Sequence, residues 1–312
     1  MSGTKKYLPV LAALLFSTIF GFSFLFTKEG LEIIQPFHLL GFRFGVAALF
    51  LTILWFLNVI RINIWKNKFK LLILLAVVQP VLYFIFEVQG IKLTTSSEAG
   101  LMISLIPVFV TILSVIFLKE SPTRIQTMFV LLSVAGVIFI VLMKGSLEVQ
   151  ENYTGLLFLF GAVFSGAVYN ILSRKISLNF TPVEITYTMM VFGAVVFNFI
   201  AWINFQGTLT DYIMPLSNIK VLSSVIYLGI FSSVVAFFMM NYTLSRLEAT
   251  KAAVFANLST VISIIAGVLI RNEPFYWFQV IGSVMIITGV FGTNYFDKVK
   301  KEEIIEEYNI SV

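Results

Sequence analysis

Two ionisable side chains in otherwise apolar stretches are the residues of this chain best placed to do chemistry. Arg43 lies within residues 36–58, and Glu87 lies within residues 71–91. Each stretch is long enough to cross a bilayer as a helix. Charged groups at membrane depth are costly, and they usually face a water-filled cavity or an opposite charge. The pair therefore predicts either a polar site that binds a solute or an ion pair that only positions two helices.

The spacing of the two side chains places them at similar depth below the same membrane face. Arg43 lies about 10 Å from that face at 1.5 Å of helix rise per residue, and Glu87 lies about 6 Å from it. Gln79, Tyr83 and Glu87 are spaced four residues apart and are predicted to share one face of their helix. We expect this polar face to meet Arg43.

The first apolar stretch has a face of small residues that ends in a cation, formed by Ser17, Gly21, Phe24 and Lys28. We predict that Lys28, Arg43 and Glu87 meet in a cavity that opens outward. The alternative is that Arg43 and Glu87 form a structural ion pair while Lys28 extends to the membrane interface. His38 falls about 140° around the helix from Arg43 and within the first turn, so we expect an interfacial histidine rather than a proton carrier.

Small and polar side chains at helical spacing mark a second candidate region near the bilayer midplane. One groove is formed by Gly100, Ser104, Pro107 and Thr111, and a weaker stripe is formed by Ser165, Tyr169 and Ser173. Pro107 removes a backbone hydrogen bond and leaves a carbonyl that could accept from a substrate. Close helix packing through small residues is the competing interpretation of the same pattern.

The composition indicates an all-α integral membrane protein. Apolar residues make up 59% of the chain and charged residues 12%, unlike the balance of soluble proteins. Ten stretches have spanning length, namely 7–27, 36–58, 71–91, 99–118, 125–143, 152–173, 185–210, 221–245, 252–270 and 274–296. With one His and no Cys, zinc fingers, disulfide frameworks and a Cys nucleophile are excluded. No basic run suggests nucleic acid, and no metal or cofactor is expected.

The distribution of cations predicts the orientation. Five of the Lys and Arg residues fall in loops on the side opposite the N-terminus, namely Lys28, Lys92, Lys144, Lys220 and Arg271. The remainder, apart from Arg43, lie on the N-terminal side. The positive-inside rule therefore predicts a multi-pass protein of the cell membrane with both termini in the cytoplasm. The first span is expected to be retained rather than cleaved as a signal peptide.

The chain is predicted to contain an internal repeat at an offset of 153 residues. The shared spacing relates Glu120, Gln126 and Gly136 to Glu273, Gln279 and Gly289, and it also maps Ser104 onto Asn257 and Pro107 onto Thr260. Five spans in each half, within residues 1–148 and 149–312, make the halves inverted repeats. Such repeats give a substrate site near the midplane and two alternating conformations. Glu120 and Glu273 are expected to be exposed caps of the helices that follow them.

Three segments of the sequence resemble the EamA family of the drug/metabolite transporter superfamily. They are FGFSFLFTKEGLEIIQPFHLLGFRFGVAAL at 20–49, GIKLTTSSEAGLMISLIPVFVTILSVIFLKESPTRIQ at 90–126 and, more loosely, LEATKAAVFANLSTVISIIAGVLIRNEPFYWFQ at 247–279. The resemblance implies a ten-helix transporter that exports small metabolites or amino acids, with spans five and ten at the periphery. A Trp-Gly pair common in that family's first span is replaced by Phe20-Gly21.

These observations favour a secondary transporter. The substrate-path residues we expect are Ser17, Gly21, Lys28, Arg43, Gln79, Tyr83, Glu87, Ser104, Pro107, Tyr169, Asn257 and Thr260. An Arg and a Glu at similar depth suit an amino acid or related zwitterion. A proton is a candidate coupling ion, carried by Glu87 or by Glu98. An uptake permease or a channel-like facilitator for another small polar solute is the alternative, whereas an enzyme or a retinal-type receptor lacks the necessary residues.

Overall fold

The computed structural model describes residues 4–63, 69–93, 102–120, 122–144, 153–271 and 275–310, and within these ranges the regular structure is entirely helical. Nine helical stretches in this part of the chain are long and apolar enough to cross a membrane. A further apolar helix is shorter, at Ile106–Leu118. The all-helical membrane fold is confirmed, whereas a count of ten spans and an inverted repeat stay predictions.

We number the long helices in chain order. They are α1 (Thr4–Leu31), α2 (Pro36–Phe56), α3 (Phe69–Gly90), α4 (Ile106–Leu118), α5 (Arg124–Lys144), α6 (Tyr153–Ile176), α7 (Pro182–Ile203), α8 (Ile219–Arg246), α9 (Ala249–Ile270) and α10 (Trp277–Ile310). The face of the bundle where α1 begins is called the N-terminal face below, and the other is the opposite face. Helices α4, α6 and α8 end on the N-terminal face, and α9 begins there.

Helix α7 differs in its bounds from the predicted span 185–210. The helix begins at Pro182, before the predicted start at 185, because Thr181 and Glu184 form a capping box. In this box each side chain accepts a hydrogen bond from the other residue's backbone N–H. A second capping box at Thr208 and Asp211 begins the short helix Leu209–Ile213. The side-chain hydrogen bond from Thr208, followed by its backbone N–H, lowers the pKa of Asp211. The predicted span thus divides into a shorter membrane helix and a short helix at the opposite face.

Helices α3 and α8 lose regular α-helical geometry at related points. Residues Val77–Leu82 of α3 form a kink between two helical segments, at which Gln79 is extended at φ −143° and ψ 121°. Residues Tyr227–Ala236 of α8 are π-helical. Helix α9 is interrupted in a similar way between Phe255 and Leu258, and a turn at residues 104–105 precedes α4. The irregular backbone lies inside the bundle, where neighbouring protein can satisfy polar groups that lipid cannot.

The bundle is built from helix pairs around α3, α6 and α8. Helix α5 packs chiefly on α10, α2 on α7, and α1 on α9 and α8. A Cβ on Gly289 of α10 would lie 2.6 Å from the carbonyl oxygen of Phe129 on α5. This approach of two backbones explains why small residues recur in that pair. Helix α10 remains helical through Ile310, so the last helix extends well beyond the predicted span 274–296.

Candidate functional site

Arg43 lies inside the bundle and is bound by hydroxyl groups of α8. Its side chain is 7% exposed. Nε donates to Ser233 Oγ at 2.8 Å, and Nη2 donates to Ser232 Oγ at 3.0 Å. The guanidinium carbon lies 5.5 Å from the ring centre of Phe44 and 5.1 Å from that of Phe84. Two neutral acceptors and two aromatic rings therefore compensate the desolvation of this charge.

Glu87 of α3 lies within electrostatic range of Arg43. Its Oε1 accepts a hydrogen bond from Tyr83 Oη at 3.1 Å. Among the residues that the structure describes, no direct ion pair joins Arg43 to Glu87. The structure thus brings the two predicted residues into one cluster, but the direct pair that we gave as the alternative is not formed. We call Arg43, Tyr83, Glu87, Ser232 and Ser233 the Arg43 cluster.

The predicted polar face of α3 is interrupted at Gln79. This residue is buried, and its extended backbone breaks the four-residue spacing that an unbroken helix would maintain. Tyr83 and Glu87 follow the break on regular α-helix and keep the spacing, as their hydrogen bond shows. The prediction of one continuous face is therefore wrong for Gln79. A proline at the next position, which supplies no N–H to the helix, accounts for the interruption.

Lys28 does not join the cluster. The face of α1 that carries it is buried only in its first half, where Ser17 Oγ lies 2.8 Å from the carbonyl oxygen of Phe255. A Cβ on Gly21 would lie 2.6 Å from Ile262 Cβ, so this glycine serves the contact between α1 and α9. Phe24 is 55% exposed and Lys28 is also exposed. Three-way contact among Lys28, Arg43 and Glu87 was predicted wrongly, because α9 does not cover the second half of this face.

The predicted midplane residues mostly make contacts within the protein. The carbonyl of Pro107, expected to be a free acceptor, accepts from Thr111 Oγ1 at 2.8 Å. Asn257 Nδ2 donates to Ser133 Oγ of α5 at 3.1 Å. Ser104 is buried and Thr260 is half-buried. Gly100 lies outside the described residues, as do Glu98 and Glu273. For Pro107 and Asn257, the structure favours the packing interpretation.

Tyr169 belongs to a buried hydrogen-bond network that the sequence did not reveal. Tyr169 Oη and Ser173 Oγ of α6 donate to Asn241 Oδ1 at 3.0 and 2.6 Å. Asn241 Nδ2 donates to Thr186 Oγ1 of α7 at 3.0 Å. Asn241 therefore connects α6, α7 and α8, and Tyr169 has a structural partner. The only available signal was an amide side chain in an otherwise apolar stretch, which indicates burial but not its partners.

His38 is buried rather than exposed at an interface. Its side chain is 8% exposed, and Nε2 lies 2.9 Å from the carbonyl oxygen of Tyr212. Its ring stacks on Tyr212 with centroids 4.1 Å apart. Tyr212 belongs to the short helix Leu209–Ile213, which covers this end of α2. The expected access to water is therefore wrong, because an element that the sequence did not predict lies over the histidine.

Glu120 is not an exposed cap. The helix that follows it, α5, is capped instead by Thr123 and Gln126, with Thr123 N donating to Gln126 Oε1 at 2.7 Å. Glu120 Oε1 accepts from Arg174 Nε at 3.1 Å, and its Oε2 accepts from Ala249 N at 2.8 Å. Burial raises the pKa of the Glu120 carboxyl, and these hydrogen bonds act in the opposite direction. Gln279 caps α10 as Gln126 caps α5, with Tyr276 N donating to its Oε1 at 2.9 Å.

Serines 232 and 233 were missed as site residues. Both are fully buried on α8, within its π-helical segment. The repeat offset of 153 could have identified them, because it maps the polar Gln79 onto Ser232. No group of three or more His, Cys, Asp or Glu in the described part of the chain could hold a metal ion. The Arg43 cluster therefore contains one side chain of each charge, Arg43 and Glu87.

Comparison with known proteins identifies relatives along nearly the whole chain. The model of the EamA-like transporter family matches twice, at residues 8–142 and 153–295. An uncharacterized transporter of Bacillus subtilis, YcxC, is 38% identical over 91% of this chain and 92% of its own length. An uncharacterized transporter of Archaeoglobus fulgidus is 28% identical over 88% and 94%. A solved crystal structure with 16% identity has a TM-score of 0.78 over 92% of this chain and 96% of its own, which shows a shared fold.

Proposed function

Because this chain belongs to the EamA-like transporter family, we propose that it is a secondary transporter that exports amino acids or related zwitterions by alternating access. The family and its relatives make it a membrane transporter. The substrate class, the direction and the mechanism are the proposal. The substrate class depends on the Arg43 cluster, and the direction depends on the resemblance to exporters.

The observation that carries the proposal is the opposite charges of Arg43, which is buried, and Glu87, which is half-buried, in one cluster inside the bundle. Arg43 donates to two serine hydroxyls, and neutral acceptors bind a guanidinium more weakly than a carboxylate does. A substrate carboxylate can therefore replace them. Glu87 would then hold the ammonium group, and Phe44 and Phe84 border the site. Proton coupling through Glu87 is part of the proposal, since Glu87 is the carboxylate of the Arg43 cluster.

Two further observations support alternating access between halves at 1–148 and 149–312. One family model matches each half separately. The offset of 153 residues also maps the kinked Val77–Leu82 of α3 into the π-helical Tyr227–Ala236 of α8. The segment of α8 contacts Arg43 through the two serines, and Phe84, which lies beside the guanidinium, follows the kink of α3 by two residues. Broken helices from two related halves beside a site are typical of transporters that work in this way.

The test is counterflow into proteoliposomes that contain the purified protein. The panel should compare each amino acid with its amine, which lacks the carboxylate, and with its deaminated acid, which lacks the ammonium. We expect exchange of zwitterions, and at least about tenfold less exchange of either analogue, since each loses one charged hydrogen bond. Equal exchange of the deaminated acids would contradict the zwitterion assignment, and imposed proton gradients of each sign would test coupling and direction.

Substitution of Arg43 tests whether the cluster is the site. Arg43→Gln should reduce zwitterion counterflow by about 100-fold or more, because a buried bidentate donor is lost. Arg124→Gln is the matched control, since Arg124 is an exposed cation at the start of α5. Full transport by Arg43→Gln protein that is monodisperse in detergent would remove Arg43 from the mechanism.

A further inference from the structure

A second group of polar contacts, partly buried, lies at the N-terminal face, away from the Arg43 cluster. Glu120 follows the end of α4, and its side chain is 12% exposed. Its two carboxylate oxygens bind different helices, with Oε1 on Arg174 at the end of α6 and Oε2 on the backbone N–H of Ala249 at the start of α9. Arg174 Nη1 also donates to the carbonyl oxygen of Leu244 at the end of α8, at 3.1 Å. Four helix ends are thus joined through one carboxylate and one guanidinium.

The contacts of Glu120 cross between the two halves of the chain. Glu120 belongs to residues 1–148, whereas Arg174, Leu244 and Ala249 all belong to residues 149–312. Arg174 is held by Leu244 of its own half, which fixes the guanidinium where Glu120 meets it. A second hydrogen bond connects α4 to α9 deeper in the bundle, between Ser114 Oγ and Thr250 Oγ1 at 3.2 Å. Any motion that separates the halves on this face must break both connections.

We infer that the Glu120–Arg174 pair is a gate, which holds the protein closed toward the N-terminal face and opens when a substrate passes there. This inference rests on the proposed alternating access and adds to it the contact that must break. A charged pair suits this role because both side chains become hydrated when the helix ends separate. An apolar contact of similar size would instead expose hydrocarbon to water each time the gate opened.

The state of the gate can be measured without knowing the substrate. Because the sequence contains no Cys, a single introduced thiol reports without interference. Ser114→Cys places a near-isosteric thiol six residues before Glu120, at a position that is fully buried. Protein in lipid nanodiscs would be treated with a membrane-impermeant maleimide. Glu120→Gln and Arg174→Gln should each raise the labelling rate of this thiol by about tenfold, since each removes a charged hydrogen bond that favours the closed state.

Two controls distinguish opening of the gate from a general destabilisation of the fold. Lys175→Gln removes the exposed cation next to Arg174 and should leave the labelling rate unchanged. Ser224→Cys puts the thiol at another fully buried position, on α8 toward the opposite face. Its labelling should stay slow in every gate variant. Because Glu120 and Arg174 are substituted separately, a folding defect in one variant leaves the other to test the gate.

The outcomes decide the inference independently of the transport assay. A raised rate at Ser114→Cys alone supports the gate. An unchanged rate in both variants overturns it, and so does an equal rise at Ser224→Cys, which would mean that the contacts only stabilise the fold. Wild-type protein that labels as expected but exchanges no zwitterion would contradict the proposed substrate class and leave the gate in place.

Discussion

At the residue scale, Arg43 donates its hydrogen bonds to neutral groups rather than to a counter-ion. The nearest acceptors are two serine hydroxyls, while the carboxylate of Glu87 is engaged by Tyr83. A closed Arg–Glu pair would have to be broken before a substrate carboxylate could bind, at considerable cost inside a protein. The observed arrangement keeps the two charges separately available, which is what recognition of a zwitterion requires.

Substitution of Glu87 should change selectivity rather than abolish binding. Glu87→Gln keeps the shape of the side chain and an oxygen that can accept from Tyr83, but it removes the negative charge. We expect zwitterion affinity to fall by about 10- to 100-fold, because the ammonium loses a buried partner. Affinity for the deaminated acid should be unchanged or higher. Competition for counterflow measures both, with Glu29→Gln at the end of α1 as the control, and a parallel loss for the two ligands would count against the assigned role.

The positions of Arg43 and Glu87 could be predicted from the sequence, whereas the side chains that contact them could not. Arg43 and Glu87 could be found because a charge in an apolar stretch is conspicuous, and helix rise gives its depth. Serines 232 and 233 are common in membrane helices, so their type alone carried no signal. Lys28 was misassigned because a helical face predicts which residues align but not how far a neighbouring helix covers them. His38 was misassigned because its cover, the short helix Leu209–Ile213, comes from a distant part of the chain.

At the element scale, the helices follow the apolar pattern while their interruptions do not. Hydropathy predicts the long helices because the lipid requires internally satisfied backbone. It misplaces the start of α7, because the charged Glu184 lies inside the helix and caps its first turn. The kink of α3 and the π-helical segment of α8 carry no periodic signal, because they depend on what packs beside them.

The contact between α5 and α10 should tolerate little added volume. In Gly289→Ala protein, the new Cβ would lie 2.6 Å from the carbonyl oxygen of Phe129 and 2.7 Å from the backbone nitrogen of Ser133, and backbone cannot move aside as a side chain can. We expect a loss of about 1–3 kcal/mol in the free energy of unfolding, as for other overpacked sites. Thermal unfolding in detergent measures it.

Gly45→Ala on α2 is the matched control for that substitution. Its Cβ would meet only Asn198 Nδ2, at 3.6 Å, which is ordinary contact. Alanine also favours helix over glycine, so stability should be equal or slightly higher. If both variants unfolded at the same temperature as the wild type, close backbone contact would not be what restricts residue 289.

At the scale of the whole molecule, the chain is organised so that both faces depend on contacts between its halves. The Arg43 cluster joins α2 and α3 to α8, and the Glu120 contacts join α4 to α6 and α9. The proposed duplication accounts for the two matches of the same family model. It also explains why α5 and α10 start with equivalent Gln caps. The offset was visible in the sequence, whereas the contacts between halves required the folded chain.

The orientation that the cations predict can be tested directly. We expect both ends of the chain to lie in the cytoplasm, because most Lys and Arg residues in the loops fall on that side. A reporter fluorescent only in the cytoplasm should give signal when fused at either end. The same reporter inserted between Gln206 and Gly207, on the opposite face, should give none, and signal from that site alone would reverse the assigned orientation.

The nearness of Arg43 and Glu87 also has an electrical consequence. With Glu87 ionised, the two formal charges of the cluster cancel, and a zwitterion adds no net charge. The membrane potential, worth about 2.3 kcal/mol per elementary charge at 100 mV, then neither drives nor opposes the passage of substrate. A cycle in which Glu87 also carries a proton moves one charge per turnover. Voltage sensitivity of the flux therefore counts the protons that accompany each substrate molecule.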